Sequence, residues 1–524
     1  MFDLLLRGGR VVDGSGLPGE YADVAIVGDR IAAVSRFPAA SSKEVLDVTG
    51  LTVTPGFVDA HVHGDLPVFV DPMQEAAIRQ GITTFVLGQD GVAFAPAGPA
   101  TMAYMRQYTA GFNGGSATPD RTWNTIADYL NQLDGASAVN ACVLIPNGNV
   151  RMEAMGLAER RATAAELAAM RQLVRAGMEQ GAVGLSSGLD YIPSLYADED
   201  ELTALCEVIA EYGGVYATHM RGYTPAKFPA ALQEVLNIGR RAGCAVHVSH
   251  FNVVMAQAEP VLAAARDAAI DLTFDLYCYL YGSTIVGMVT LPPELNAGGT
   301  AATIERLKLP ETRQLLEAEF ASPRFPLETL RFTSIPHTDW KHHEGKRLVE
   351  CATTIRGRVD FVCDLLIATE MTAGCVIRHF AERTEADIRL LMKRPEMMAG
   401  SDGIFVGGCP HPRGNGCFAK YLGEYVRNGT WSLETAVRRL SFHAARRHGL
   451  RDRGLLAPGF AADVAVFDPA IVADTSTYDN GRSLALGMVH VLVNGEFVLK
   501  HGTRTAACPG RGLRRGTGNV GGQV

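Results

Sequence analysis

The nine residues Pro55-Gly56-Phe57-Val58-Asp59-Ala60-His61-Val62-His63 constrain this chain more than any other stretch. An apolar run leading into His-x-His reads as a buried strand. Successive strand side chains face opposite sides, so His61 and His63 share one face and Val62 takes the other. Two neutral imidazoles delivered to one point suit a borderline metal such as zinc. The pair alone also has an ordinary structural reading, so its weight depends on what the other strands carry.

Short runs rich in Val, Ile, Leu and Phe recur at 57–63, 83–88, 141–146, 183–189, 215–220, 245–251, 272–279 and 398–403, and most are followed by a helix-like segment. Eight such units predict an α/β fold, a (β/α)8 TIM-type barrel. Residues 198–212 and 229–241 show apolar spacing of helical period before Gly213-Gly214 and Gly243 end them. The gap between the seventh and eighth runs, 280–397, holds an insertion besides a crossover helix. In this fold such an insertion lies over the active-site face, as a lid or specificity element. Both chain ends read as short strands separated by turns, predicting a small β-sandwich from residues 1–54 and 451–506 around a barrel at 55–450. The glycine- and arginine-rich tail, 507–524, reads as disordered.

The predicted strand ends can then be taken together. Strand one brings His61 and His63, strand two Asp90, strand five His219, strand six His250 and strand eight Asp402. Barrel active sites sit at the C-terminal ends of the strands, so all six converge on one mouth. Each has a plain alternative: His219 as a core histidine, Asp402 as a helix cap, Asp90 as a turn residue. Convergence from five strands favours a metal site.

Composition narrows the class. The 524 residues are 47% hydrophobic and 20% charged with a net charge of −8, an ordinary globular balance. The body has no basic run that would call for nucleic acid or membrane lipid. No stretch approaches the roughly 18 to 20 apolar residues of a membrane span, and the N-terminus lacks a signal-peptide pattern. Ten cysteines without a C-x-x-C pair fit reduced thiols, so a cytoplasmic location is expected.

These residues resemble the amidohydrolase superfamily and, within it, the D-aminoacylase (N-acyl-D-amino-acid deacylase) family. The resemblance rests on the opening run, Gly81-Ile82-Thr83-Thr84, Gly184-Leu185-Ser186-Ser187-Gly188-Leu189-Asp190-Tyr191, Tyr216-Ala217-Thr218-His219-Met220-Arg221, Ser249-His250, Asp275-Leu276-Tyr277-Cys278-Tyr279, Gly400-Ser401-Asp402-Gly403 and His411-Pro412-Arg413. It extends to Arg453-Gly454 and Gly459-Phe460-Ala461-Ala462-Asp463, so it covers nearly the whole chain.

The resemblance implies metal-dependent hydrolysis of a linear amide, the deacylation of an N-acyl-D-amino acid, with one or two zinc ions or another divalent metal. His219 and His250 match the tight zinc ligands, His61 and His63 a second, weaker position, and Asp402 the catalytic aspartate. Where the family carries a cysteine ligand this chain has Asp90, a hard oxygen in place of a thiolate. The carboxylated lysine with which other superfamily members bridge two metals has no counterpart in 183–191. Any bridging role therefore falls to Asp90.

Arg413 matches an arginine that grips the substrate carboxylate, and Tyr277 and Tyr279 occupy a region whose tyrosine assists. A family lysine is replaced by Asn252, a lost positive charge that Arg221 is a candidate to supply. The expected partner is a small-molecule substrate. Two other readings stand beside this one: a hydrolase of cyclic or uncharged amides, or a deaminase, favoured by Asn252; and a non-catalytic barrel, disfavoured by the complete set of five site residues.

Overall fold

The structure is a computed structural model describing residues 1–37, 42–114, 121–380 and 382–516. Eight short strands form a parallel ring, labelled β1 Phe57–Asp59, β2 Ile82–Leu87, β3 Asn140–Val143 resuming at Ile145–Pro146, β4 Gly184–Gly188, β5 Val215–His219, β6 Ala245–Val248, β7 Leu272–Leu276 and β8 Met397–Ala399. Each pairs in parallel with the next. The ring closes where the Ala60 amide donates to the Ala399 carbonyl at 3.2 Å and where Val62 bridges Gly403. The chain is a (β/α)8 barrel with an additional terminal sheet.

Every residue of β1, β2, β4, β5 and β7 is buried. This explains continuous Val, Ile, Leu and Phe runs rather than alternation, because both faces of such strands are covered. The helices between strands begin and end on local chemistry. The Asp198 carboxylate accepts the Glu201 amide at 2.8 Å to start the helix Glu199–Glu211. Gly243, at φ 67°, ends Phe228–Ala242 in the left-handed conformation that glycine adopts without strain.

Between β7 and β8 the chain builds a separate layer. Tyr281–Ile285 and Arg331–Ser334 flank Gly374–Arg378 in an antiparallel three-stranded sheet. With the helices Pro310–Ala321 and Ile355–Ala368 it encloses its own core, including Val286, Leu316, Phe332, Val362 and Leu366. The helix Glu385–Met392 then returns the chain to the barrel.

Strands from both ends of the chain make one nine-stranded sheet. Its seam is the antiparallel pairing of Thr52–Pro55 with Val464–Phe467, and Leu6, Val24, Ile26, Val53, Val464 and Leu492 pack against it. The tail departs from the disorder expected of it. Gly512 bridges Ala141, the Arg515 amide donates to the Gly181 carbonyl at 3.0 Å, and Arg511 pairs with Asp29 at 2.6 Å. Glycine-rich composition does not prevent docking where arginines find carbonyls and carboxylates to bind. Residues 517–524 lie outside the described residues.

Candidate active site

Six predicted residues meet at the C-terminal mouth of the ring. His61 and His63 follow β1, Asp90 follows β2, His219 ends β5, His250 follows β6 and Asp402 follows β8. Three of them, Asp90, His250 and Asp402, have positive φ values of 56°, 36° and 50°. A non-glycine residue in that region costs about 1 to 3 kcal/mol, a strain that recurs at functional sites. Local propensity alone would not choose this backbone; the turns at three strand ends are held by the fold.

Asp90 is the hub. Its carboxylate lies 3.7 Å from His61 Nε2, 3.6 Å from His63 Nε2, 3.8 Å from His219 Nδ1 and 3.7 Å from His250 Nε2. These separations exceed hydrogen-bond lengths. His61 Nε2 and Asp90 Oδ1 are buried and have no hydrogen-bond partner. Such atoms are costly unless an ion or water completes them.

The donors group into triads whose ligand atoms lie within 4.8 Å of one another: His61–His63–Asp90, Asp90–His219–His250 and His61–His250–Asp402. Imidazole nitrogens and carboxylate oxygens in this arrangement fit a zinc centre, and Asp90 belongs to two of the triads.

Charge is balanced within the cluster. Burial alone would raise the Asp90 carboxyl, but His61, His250 and His219 outweigh it and hold the group well below the usual carboxylate range. Burial disfavours a charged His61, yet Asp275, Asp90 and Asp402 push it up to about 10. For Asp402 burial is overcome first by Arg413 and then by His61, so it too is held ionised. Its Oδ1 faces His63 Nε2 at 3.2 Å, and its Oδ2 pairs with Arg413 Nη1 at 2.8 Å.

A cavity of about 270 Å³ opens above these residues. Its floor includes His63, Asp90, His219, His250 and Asp402, and its outer wall comes from the insertion through Met288, Val289, Phe325, Ile377 and Phe380.

Arg413 and Tyr277 line the cavity, with the guanidinium 4.5 Å over the tyrosine ring. Arg413 is fully buried and anchored on Asp402 and the Ser283 carbonyl, so it is not a free fork waiting for a carboxylate. Asn252 also lines the cavity; its Nδ2 donates to the Tyr277 hydroxyl at 2.7 Å and its Oδ1 is unpartnered.

Two expectations need correction. Tyr279 points away, donating to Asp474 Oδ2 at 2.6 Å and lining a different cleft with Lys420. Because β7 ends at Leu276, strand alternation no longer holds Tyr277 and Tyr279 on one face. Arg221 stands at the cavity rim but is clamped by Glu234 and by the carbonyls of Leu195 and Ala197. Its donors are spent on joining loops and do not replace a lost substrate-binding charge.

Other residues in or beneath the cavity were given no role by sequence reasoning. His379, at the edge of the insertion sheet, meets the Tyr277 hydroxyl at 2.7 Å, and burial holds it well below the usual histidine range. Asp190 lies 3.5 Å from His219 Nε2. Asp275 is buried beneath the cluster, in contact with His61, His247 and the His250 amide. Thr273 and Asp275, polar residues two apart on an otherwise apolar strand, were a usable signal for a site-facing edge.

Barrel, insertion and imidazole–carboxylate cluster define a metal-dependent hydrolase of the amidohydrolase class. The amidohydrolase family model matches residues 44–308 and 337–499, and the chain belongs to that family. It is 35% identical over 528 residues to the D-aminoacylase of Alcaligenes xylosoxydans xylosoxydans, covering 98% of each chain. It is 34% identical to the N-acyl-D-glutamate deacylase of the same organism, covering 98% of this chain and 96% of that one.

A crystal structure of D-aminoacylase, described as defining a novel subset of amidohydrolases, superposes with a TM-score of 0.81 at 32% identity, covering 98% of this chain and 100% of the other. The N-acyl-D-glutamate deacylase of Bordetella bronchiseptica, complexed with zinc and a phosphonate mimic of the tetrahedral intermediate, gives 0.82 at 32% identity, covering 98% and 99%.

Proposed function

We propose that this chain is a zinc-dependent deacylase that hydrolyses an N-acyl-D-amino acid to a D-amino acid and a carboxylate. The observation that carries the reading is the Asp90-centred cluster, with Asp402 held ionised beside it at the base of the cavity. Full-length similarity to three D-amino-acid deacylases supports the substrate class.

His219, His250 and Asp90 would hold one zinc, and His61, His63 and Asp90 a second position. Bound zinc supplies Lewis acidity toward the scissile carbonyl and brings the pKa of a water into the neutral range. Asp402, ionised and facing the cluster through Oδ1, accepts the proton of the attacking water and returns it to the departing amine nitrogen. Arg413 holds Oδ2 and keeps the carboxylate aimed, while its Nε, buried and unpartnered, is available to a substrate carboxylate. Tyr277, steadied by Asn252 and His379, lines the same side.

The neutral Asn252 favours a second reading, hydrolysis of an uncharged or cyclic amide. We divide the chain into a barrel at 55–450 and a terminal unit of 1–54 with 451–506, in keeping with the seam between Thr52–Pro55 and Val464–Phe467. Among the described residues no helix is long and apolar enough to cross a membrane. Ten free thiols suit a reducing, cytoplasmic setting.

The decisive experiment measures amine release from N-acetyl-D- and N-acetyl-L-amino acids before metal removal, after chelation and after zinc is returned. Zinc-restored hydrolysis confined to the D-series is expected. Silence across the panel with zinc bound would overturn the deacylase reading in favour of uncharged or cyclic amides.

A further inference from the structure

Beneath the cluster one carboxylate touches both halves of the site. Asp275 is fully buried. Its Oδ1 accepts the backbone N–H of His250 at 2.9 Å. Its Oδ2 meets His247 Nε2 at 3.0 Å and His61 Nδ1 at 3.3 Å. His247 is itself held through Nδ1, 2.9 Å from Thr273 Oγ1. The packing is close: a Cβ at Gly400, the residue after β8, would come within 2.8 Å of Asp275 Oδ1 and 2.9 Å of the His61 Cβ, so the chain passes this pair with no room for a side chain.

We propose that Asp275 is a positioning residue of the metal centre. It fixes the tautomer of His61 and props the left-handed backbone of His250, so that strands one and six present their ligands together. This rests on the metal-centre reading above.

An ionised carboxylate only accepts hydrogen bonds. Facing Nδ1 of His61, it keeps a proton there and leaves Nε2 as the nitrogen that can be bared, and Nε2 is the atom that looks toward Asp90 at 3.7 Å and Asp402 at 3.6 Å. Outer partners that set an imidazole tautomer in this way are part of how a protein tunes a metal site. Asp275 also receives the amide of a residue at φ 36°, where the backbone needs outside support. Asp275 thus ties a ligand ring and a ligand backbone to one rigid strand.

The geometry makes an isosteric change informative. In Asp275→Asn the His250 amide still demands an acceptor, so the new carbonyl takes the Oδ1 place and the NH2 group takes the Oδ2 place. There it donates to both His61 Nδ1 and His247 Nε2. The His61 proton must then sit on Nε2, capping the atom that would bind metal. A variant of almost unchanged shape should therefore lose metal.

The test compares the full-length wild type and D275N by chelator competition for zinc, with circular dichroism as the folding check. Zinc-loaded wild type carrying 15N-histidine is examined in parallel by NMR. The expected result is an affinity loss of about 10- to 100-fold in a folded D275N, with the His61 proton on Nδ1 in the wild type.

Zinc binding by D275N within about threefold of wild type would overturn the proposal, since outer-partner losses of this kind are about tenfold or more. A proton on Nε2 of His61 in the zinc-loaded wild type would also overturn it, and that measurement decides alone should D275N fail to fold. Absence of zinc binding by the wild type would instead remove the metal-centre reading, and this inference with it.

Discussion

The floor of the cavity and its outer wall are built on opposite principles. The floor is assembled from the ends of five barrel strands, with its ionisable groups buried, mutually compensating and partly on strained backbone. The wall belongs to the insertion between β7 and β8, a layer with its own sheet and its own apolar core that presents Met288, Val289, Phe325, Ile377 and Phe380. The amidohydrolase family model matches through the floor and leaves 309–336, inside the insertion, unmatched. Ionisable groups tied to a rigid ring, beneath a separately packed apolar layer, would let the layer change without the floor.

The largest expected effect tests the floor. Asp402→Asn removes the proposed proton acceptor while keeping shape, and kcat/KM should fall by about 10²- to 10⁴-fold for every substrate alike. Steady-state kinetics on two substrates of different size, with thermal unfolding as control, check this. A loss confined to one substrate would assign Asp402 to recognition.

A smaller effect tests the wall. Phe325 stacks near Phe380, with ring centroids 6.3 Å apart. Truncation in Phe325→Ala should raise KM for bulky apolar substrates about 5- to 30-fold, the equivalent of about 1 to 2 kcal/mol of lost apolar contact, and leave kcat for a small substrate near wild type. An equal loss in kcat for all substrates would erase the distinction between wall and floor.

A third effect, read in stability rather than in catalysis, concerns the opposite end of the barrel. His443 and His448 are both pushed down to about 3, each chiefly by burial, with Arg439 adding to the first and His247 to the second. Both are neutral in the folded chain. Their contribution is complete above the unfolded histidine value of 6.5 and is lost progressively as pH falls toward 3. Each costs up to about 1.4 kcal/mol per pH unit in that window. Tm should therefore drop between pH 7 and pH 5, and less steeply in His448→Gln. An unchanged slope in that variant would move the acid sensitivity elsewhere, the insertion included.

The ring and the convergence of histidines and aspartates at its strand ends are legible in the sequence because they follow simple rules. Buried parallel strands are continuous apolar runs, and His61-Val62-His63 sets two side chains on one face by period alone. What escaped depends on tertiary closure. Tyr279 turned away because its strand ends three residues earlier, a boundary no alternation pattern announces. The pairing of Arg413 with Asp402 crosses a loop, and neither sequence neighbourhood reveals it. His379 and the apolar wall come from the insertion, whose packing is set by contacts remote in sequence. The docked part of the tail shows the limit of composition, since glycine and arginine there find fixed partners.

The seam joining both ends of the chain has a consequence in time. Thr54 donates through its hydroxyl to the carbonyl of Ala465, 411 residues further along. At about 5 to 20 residues per second of synthesis, the N-terminal strands wait about 20 to 80 s for the partners that complete their sheet. Throughout that interval the edge of Thr52–Pro55 that later pairs with Val464–Phe467 is an open template for other chains. Production of this protein should accordingly depend on chaperone capacity during synthesis more than on the stability of the finished barrel.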